Sequence, residues 1–341
     1  MPGLLRRLGL LLARAEPPAE TVLSPLTREP TAIAIAVDEL AAEPVAIDME
    51  ARIAMATRAR DCDDLPKVPQ AGAVVPTAAG ERVQVMHNGI RVLVDGYCGA
   101  WMTDLIGRCQ GHHEPQEERA FAAVLERLPA DARMLELGGW WSFYTLWFLQ
   151  SRPQRRSWVL EPDPAHRRVG EANMRLNDAR ATFIEGLIGS TAAPSALFQT
   201  EDGDDIMVPR RAVPELLAEL GLDSLDLLHC DVQGAECDVL TSCAPLLREG
   251  RIRTVVVSTH HWRISQDPLT HQRCLATIIA CGGQVLAEHD VQESFSGDGL
   301  IVARFGGDAA DWPPIPLSRN RASTSLFRDP LYDLAECRDR R

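Results

Sequence analysis

From residue 115 onward, short runs rich in Val, Leu and Ile alternate with stretches of helical spacing, and this alternation leaves few folds open. The strand candidates are RMLELG (133–138), SWVLEP (157–162), ATFIEGLIG (181–189), LDLLHCDV (225–232) and RTVVVSTHH (253–261). Helices are predicted over 115–128, 141–150, 164–177, 213–220, 235–248 and 269–281, the first with Pro115 in its opening turn and acids beside it. Such a pattern makes a parallel sheet covered by helices on both faces. QVLAEHD and GLIVARF (284–290 and 299–305) follow with a connection too short for a helical crossover, so the sheet is expected to end in an antiparallel hairpin.

Ahead of this region, 66–110 reads as a small β-containing cap (AGAVVP, ERVQVMHNGIRVLV, GYCGAWMTDLIG). Residues 31–60 are Ala-rich with helical spacing, and 15–30 read as linker. The first twenty residues carry Arg6 and Arg7 before an apolar run that Arg14 interrupts; a short amphipathic helix or frayed tail fits better than a signal peptide or a membrane span. The Pro- and Ser-rich end carries Trp312, Leu326, Phe327 and Tyr332, and an arm packed back on the domain is expected there. Nine cysteines without a CxxC pair suggest reduced thiols, hence the cytoplasm. A formal charge of −13 argues against nucleic acid or an anionic membrane surface as the main partner, and a small molecule or a neutral polymer is easier to accommodate.

In an open parallel sheet, ligands bind beyond the carboxyl ends of the strands. The first strand ends in Glu136, Gly138 and Gly139, where glycine admits a ligand against bare backbone. The second ends in Glu161, suited to accept ribose hydroxyls. A dinucleotide site would show GxGxxG; here GGWWSF puts Trp140 and Trp141 where phosphates would rest, so a nucleoside without phosphates is expected. The fourth strand delivers His229 and Asp231, then Gly234 for a turn and Glu236 in the next helix; the fifth delivers Ser258, Thr259, His260 and His261. Those histidines read as a general base, as metal ligands with Asp231, or as structural groups.

MLELGGWWSFYTL, VLEPDPAHRRVGEANMRLN and VPELLAELGLDSLDLLHCDVQGAECDVL together resemble the FkbM-type methyltransferases, S-adenosylmethionine-dependent enzymes of the class I Rossmann-like fold, over about residues 115–305. The resemblance implies an α/β domain with a mostly parallel seven-stranded sheet ending in an antiparallel hairpin. Around a methyltransferase domain over 111–306, the residues outside the matched core divide into a 1–30 tail, a 31–110 helical and β extension that is a candidate acceptor cap, and a C-terminal arm over 307–341. Glu136, Gly138, Gly139 and Trp140 are expected around the methionine and ribose side of S-adenosylmethionine, Glu161 on the ribose hydroxyls, and Asp231 beside the sulfonium and the acceptor oxygen. The proton acceptor is then Asp231 or His260, and no metal is expected. Gly139-Trp140-Trp141-Ser142 departs from the usual Ala-Asn-x-Gly, Gln233 from Glu, and His229 from Lys. Outside the matched core, His87, Asn88, Tyr97 and Trp101 are candidates for acceptor recognition, a dimer surface or simple packing being the other reading of that region. The expected activity is O-methylation of a sugar, glycan or secondary metabolite; the alternatives are an inactive cofactor- or glycan-binding subunit and, further off, a nicotinamide-dependent oxidoreductase.

Overall fold

Alternating side chains of single strands feed two separate cores. On β4 (Arg133–Leu137), Met134 packs into one apolar cluster while Leu135 and Leu137 pack into the other. The same division runs through β10 (Leu227–Cys230), β11 (Thr254–Thr259) and β13 (Gly299–Arg304), as a period of two requires when both faces are covered. The computed structural model describes residues 49–307 and 312–326. The expected linker, the N-terminal helix or tail, Phe327, Tyr332 and Cys337 lie outside those residues, and only 49–56 of the Ala-rich helical stretch forms a described helix.

The main sheet contains β5 (Arg156–Glu161), β6 (Thr182–Glu185) and β12 (Gln284–His289) besides the four strands above. Its order is β12-β13-β11-β10-β4-β5-β6, with β13 antiparallel to both neighbours and every other pairing parallel. This is the seven-stranded sheet with a terminal hairpin that the resemblance implied. Chain order runs outward from β4 to β6 on one side and resumes from β10 on the other, so the switch point lies between β4 and β10.

The helices of the domain are α3 (Pro115–Arg127), α4 (Phe143–Ser151), α5 (Pro164–Leu176), α6 (Val213–Glu219), α7 (Glu236–Arg248), α8 (Trp262–Ser265) and α9 (Thr270–Ala280). The EPDP stretch shows how sequence sets a junction. Glu161 closes β5, Asp163 caps α5 by accepting from Ala165 N (2.7 Å), and Pro164 takes the first helical position, where a missing N–H costs nothing.

Ahead of the sheet stand α1 (Met49–Ala56), an antiparallel meander of β1 (Val74–Pro76), β2 (Arg82–Val85) and β3 (Arg91–Leu93), and α2 (Ala100–Arg108). The 97–108 stretch, grouped with the β cap from its sequence, is therefore helical from Ala100; its buried residues Met102, Leu105 and Ile106 have helical spacing. Predicted strand 181–189 breaks at Gly186. Its second half, β7 (Leu187–Ile188), joins a small sheet with β8 (Ala193–Gln199) and β9 (Asp205–Arg211), which the sequence reading omitted. Ile53, Met86 and Trp312 belong to one buried cluster with Met134 and Phe143, so extension, arm and sheet share a core. In the arm, Asn320 donates to Ser294 O (3.0 Å) and Arg319 pairs with Glu288 (3.2 Å). Among the described residues, no helix is long and apolar enough to cross a membrane, and eight cysteines are free thiols.

Candidate active site

At the switch point the ends of β4 and β10 approach so closely that a side chain at residue 138 is excluded. A Cβ on Gly138, whose φ is +77°, would stand 1.7 Å from the Asp231 carbonyl oxygen. One residue on, a Cβ on Gly139 would meet Val159 Cγ1 at 2.1 Å, so this glycine lets the loop lie against β5. Trp140 and Ser142 also have positive φ, +26° and +59°, which for non-glycine residues stores strain that surrounding contacts must hold. Here the holding contact is Glu161. Its Oε2 accepts from Trp140 N and its Oε1 from Asp163 N, both at 2.9 Å, which leaves lone pairs of the carboxylate for a ligand. The Trp140 ring lies flat on His166 of α5, centroids 3.7 Å apart and planes at 8°.

The cleft beyond these strand ends is lined by Tyr97, His113, Glu114, Trp141, Tyr144, Leu160, Pro162, Ile188, Phe198, His229 and Gln233 as well as by Glu136, Gly138, Gly139, Trp140, Glu161 and Asp231. Glu136 is buried beside His229, its partner across the β4–β10 pairing. Burial pushes its carboxyl up to about 7 against the pull of His229, and its Oε2 has no hydrogen-bond partner. Behind it, Glu117 on α3 takes His229 Nε2 at 2.9 Å and the Ser258 hydroxyl at 2.6 Å. Burial would lower the His229 pKa, but the bond to Glu117 outweighs it and raises it.

Asp231 lies 3.2 Å from His260 Nε2. His260 is 1% exposed; its Nδ1 is 2.6 Å from Glu236 Oε1, and Asp298 Oδ1 stands 3.8 Å from Nε2. Burial alone would lower its pKa, yet Asp298, Asp231 and Glu236 together hold it well above the ordinary value. For Asp231 burial acts upward, and the proton-bearing His260 wins, leaving the carboxyl below its usual range. Glu114 goes the other way: burial, then Glu117, Asp298 and Asp231, raise it well above a normal carboxyl.

All six residues expected at the cofactor therefore line one cleft. His260 contacts Asp231 from behind and is not on the cleft surface, and His261 turns into the start of α8, where its side chain accepts from Arg263 N. Of the acceptor candidates only Tyr97 reaches the cleft, stacked on Trp141 at 4.5 Å; His87 is buried, Asn88 holds its own turn through Ile90 N, and Trp101 packs on the core under Arg52. Sequence reasoning missed Glu114, His113, Tyr144, His166 and Phe198. A signal existed only for Glu114, in the acidic start of α3.

Residues 130–285 match the family profile described as Methyltransferase FkbM domain. The chain carries a methyltransferase FkbM domain. Methyl transfer is accordingly its activity and S-adenosylmethionine its methyl donor. No curated protein matches the chain. Among solved structures, it is similar to a precorrin-6y C5,15-methyltransferase from Geobacter metallireducens at 15% identity and TM-score 0.37, covering 55% of this chain and 87% of the other. A putative O-methyltransferase from Klebsiella pneumoniae aligns at 15% identity and TM-score 0.36, over 56% and 80% of the two chains. A ribosomal protein L11 methylase from Lactobacillus delbrueckii subsp. bulgaricus aligns at 12% and 0.37, over 57% and 81%. Likenesses this loose carry no argument about the site.

The FkbM domain's own residues fit the donor on two counts. Glu161 keeps free lone pairs at the second strand end, and the orphaned Glu136 Oε2 is a buried acceptor for a cationic group. Glu136 also makes binding pH-dependent. Its pKa near 7 is raised, so the group is neutral below that pH and ionised above it. Affinity for S-adenosylhomocysteine, whose ammonium favours the ionised form, should rise by about tenfold between pH 6 and 8. Titration calorimetry checks this, and in Glu136→Gln the slope should vanish.

Proposed function

We propose that the FkbM domain methylates a hydroxyl of a neutral acceptor, a sugar, a glycan or a hydroxylated secondary metabolite. The observation that carries this is the cleft lining: Glu114, Glu136, Glu161 and Asp231 face it together with Tyr97, Trp141 and Tyr144, and no Lys or Arg does among the described residues. An anionic acceptor would meet the carboxylates of Glu161 and Asp231 there, with imidazoles but no Lys or Arg among the lining residues to pair with it. Aromatic faces and carboxylates instead suit the C–H faces and hydroxyls of a polyol.

When bound, the donor supplies a methyl group on a positively charged sulfur. The protein has chiefly to align an acceptor oxygen with that methyl and manage its proton. Glu161 receives the ribose hydroxyls, Glu136 the ammonium, and the backbone of Gly138–Trp140 the remaining nucleoside edge. Leu160, Pro162, Ile188 and Phe198 form an apolar slot for the purine. Asp231 orients the acceptor hydroxyl and accepts its proton. His260, held protonated by Glu236, Asp231 and Asp298, keeps Asp231 in place and is a positioning residue. Its change to Gln should lower kcat and leave cofactor affinity intact. An unchanged kcat across neutral pH would deny it that role.

Glu161→Ala removes the partner of two backbone N–H groups and of the ribose, and cofactor binding should weaken by about 1–3 kcal/mol; equal affinities by calorimetry would take Glu161 out of the ribose site. The reaction itself is tested with isotopically labelled donor and paired acceptors, neutral sugars against the matching uronic acids. Methyl ethers formed only from neutral members support the proposal; methyl esters or N-methyl products would contradict it.

A further inference from the structure

Outside the cleft, a second group of buried polar side chains joins the meander to the start of α3. His87 follows β2, His112 follows α2, and Glu118 stands in the first turn of α3; they are 3%, 2% and 0% exposed. We propose that His87, His112 and Glu118 bind a divalent transition-metal ion, zinc by ligand type, which pins the meander to the sheet domain.

Each residue offers one ligand atom, and these atoms lie within 4.8 Å of one another. Glu118 Oε2 is 3.4 Å from His87 Nδ1 and 2.6 Å from His112 Nδ1. A tetrahedral site with bonds near 2 Å separates its ligands by about 3.3 Å. The first spacing already matches, and the second widens when an ion replaces the hydrogen bond between the two groups. The two rings stack with centroids 4.1 Å apart and planes at 18°, so binding an ion requires them to rotate out of the stack until their in-plane Nδ1 lone pairs converge. Two imidazoles and one carboxylate select zinc or a similar cation over magnesium or calcium, and leave a position for water.

The donor atoms fit: His87 Nδ1 is buried and has no hydrogen-bond partner, and Glu118 is fully buried with its Oε2 directed at both imidazoles. The outer shell is also built. Glu118 Oε1 accepts from His113 N (2.7 Å) and Glu114 N (3.2 Å), and the His87 backbone N donates to Gly111 O (3.0 Å). Gly111 must be bare, since a Cβ there would stand 2.3 Å from His87 N. A separate cavity of about 100 Å³, bordered by Cys62, Cys109 and Pro115, reaches His112 and gives an ion a path inward. Because His113 and Glu114 line the cleft, the ion would also stiffen one of its walls.

The full-length chain, purified without a polyhistidine tag and dialysed, should retain about one zinc per chain by plasma mass spectrometry. His87→Gln and His112→Gln should each lose it while keeping the circular dichroism of the parent. If either variant does not fold, cobalt added to the unaltered protein decides: visible bands of a tetrahedral site without a thiolate charge-transfer band support the proposal. No retained metal together with no rise in Tm on adding zinc or cobalt would overturn it. So would zinc that stays in both folded variants, or a cobalt–thiolate band.

Discussion

Gly138→Ala should reduce affinity for S-adenosylhomocysteine by about a hundredfold or more, some 2.7 kcal/mol, and should also lower Tm. Two penalties combine. The left-handed backbone at φ +77° disfavours any Cβ, by about 1–2 kcal/mol, and the added atom would lie 1.7 Å from the Asp231 carbonyl oxygen. Relief requires β4 and β10 to part at the point where the donor binds, so Asp231 moves with them. Gly80→Ala is the control. Its φ is +83° and a Cβ there meets nothing within 4 Å, so it isolates backbone strain from the clash. If the two variants bind equally well, the close approach of Gly138 to Asp231 is not what shapes the site.

Asp231→Ala should lower kcat by about 10²–10⁴, the range for losing a positioned proton acceptor, with a much smaller change in cofactor affinity. Asp231→Asn separates two contributions. The amide keeps the shape and a hydrogen bond toward His260, so activity it restores measures orientation, and activity that stays lost measures the carboxylate. Because Asp231 is held below the usual carboxyl range, the rate should not fall off as pH drops to 6 through its own titration. Single-turnover assays with labelled donor distinguish these effects from slow product release. A kcat loss under about threefold in Asp231→Ala would remove this residue from the reaction.

Much of the sheet was legible because each strand is a Val- and Leu-rich run with its ligand-facing residues at the carboxyl end. Glu136, Gly138 and Glu161 follow from that placement alone, and EPDP spelled out strand end, cap and first helical residue. The β8–β9 hairpin was not legible. Its strands carry Pro194 and Pro209, and β8 shows no clean burial alternation, so the period-two signal is weak. His260 illustrates a different failure. An imidazole at a strand end reads as a base, but its charge state is set by Glu236 one helix away and Asp298 in the loop before β13, and no local pattern announces either. The acidic wall of the cleft depends likewise on Glu114, brought in by a helix that precedes the first strand. For His87 the sequence leaves acceptor recognition and simple packing open; the fold decides for packing, turning the ring inward against His112.

The central claim is that the bare loop after β4 binds a nucleoside donor without phosphates. Isothermal titration of the purified protein with S-adenosylhomocysteine, with NAD and NADP as controls, tests it directly. The account predicts micromolar binding of S-adenosylhomocysteine, weakened in Glu161→Ala, and no heat from either dinucleotide. Absence of binding, or equal binding of a dinucleotide, would contradict it.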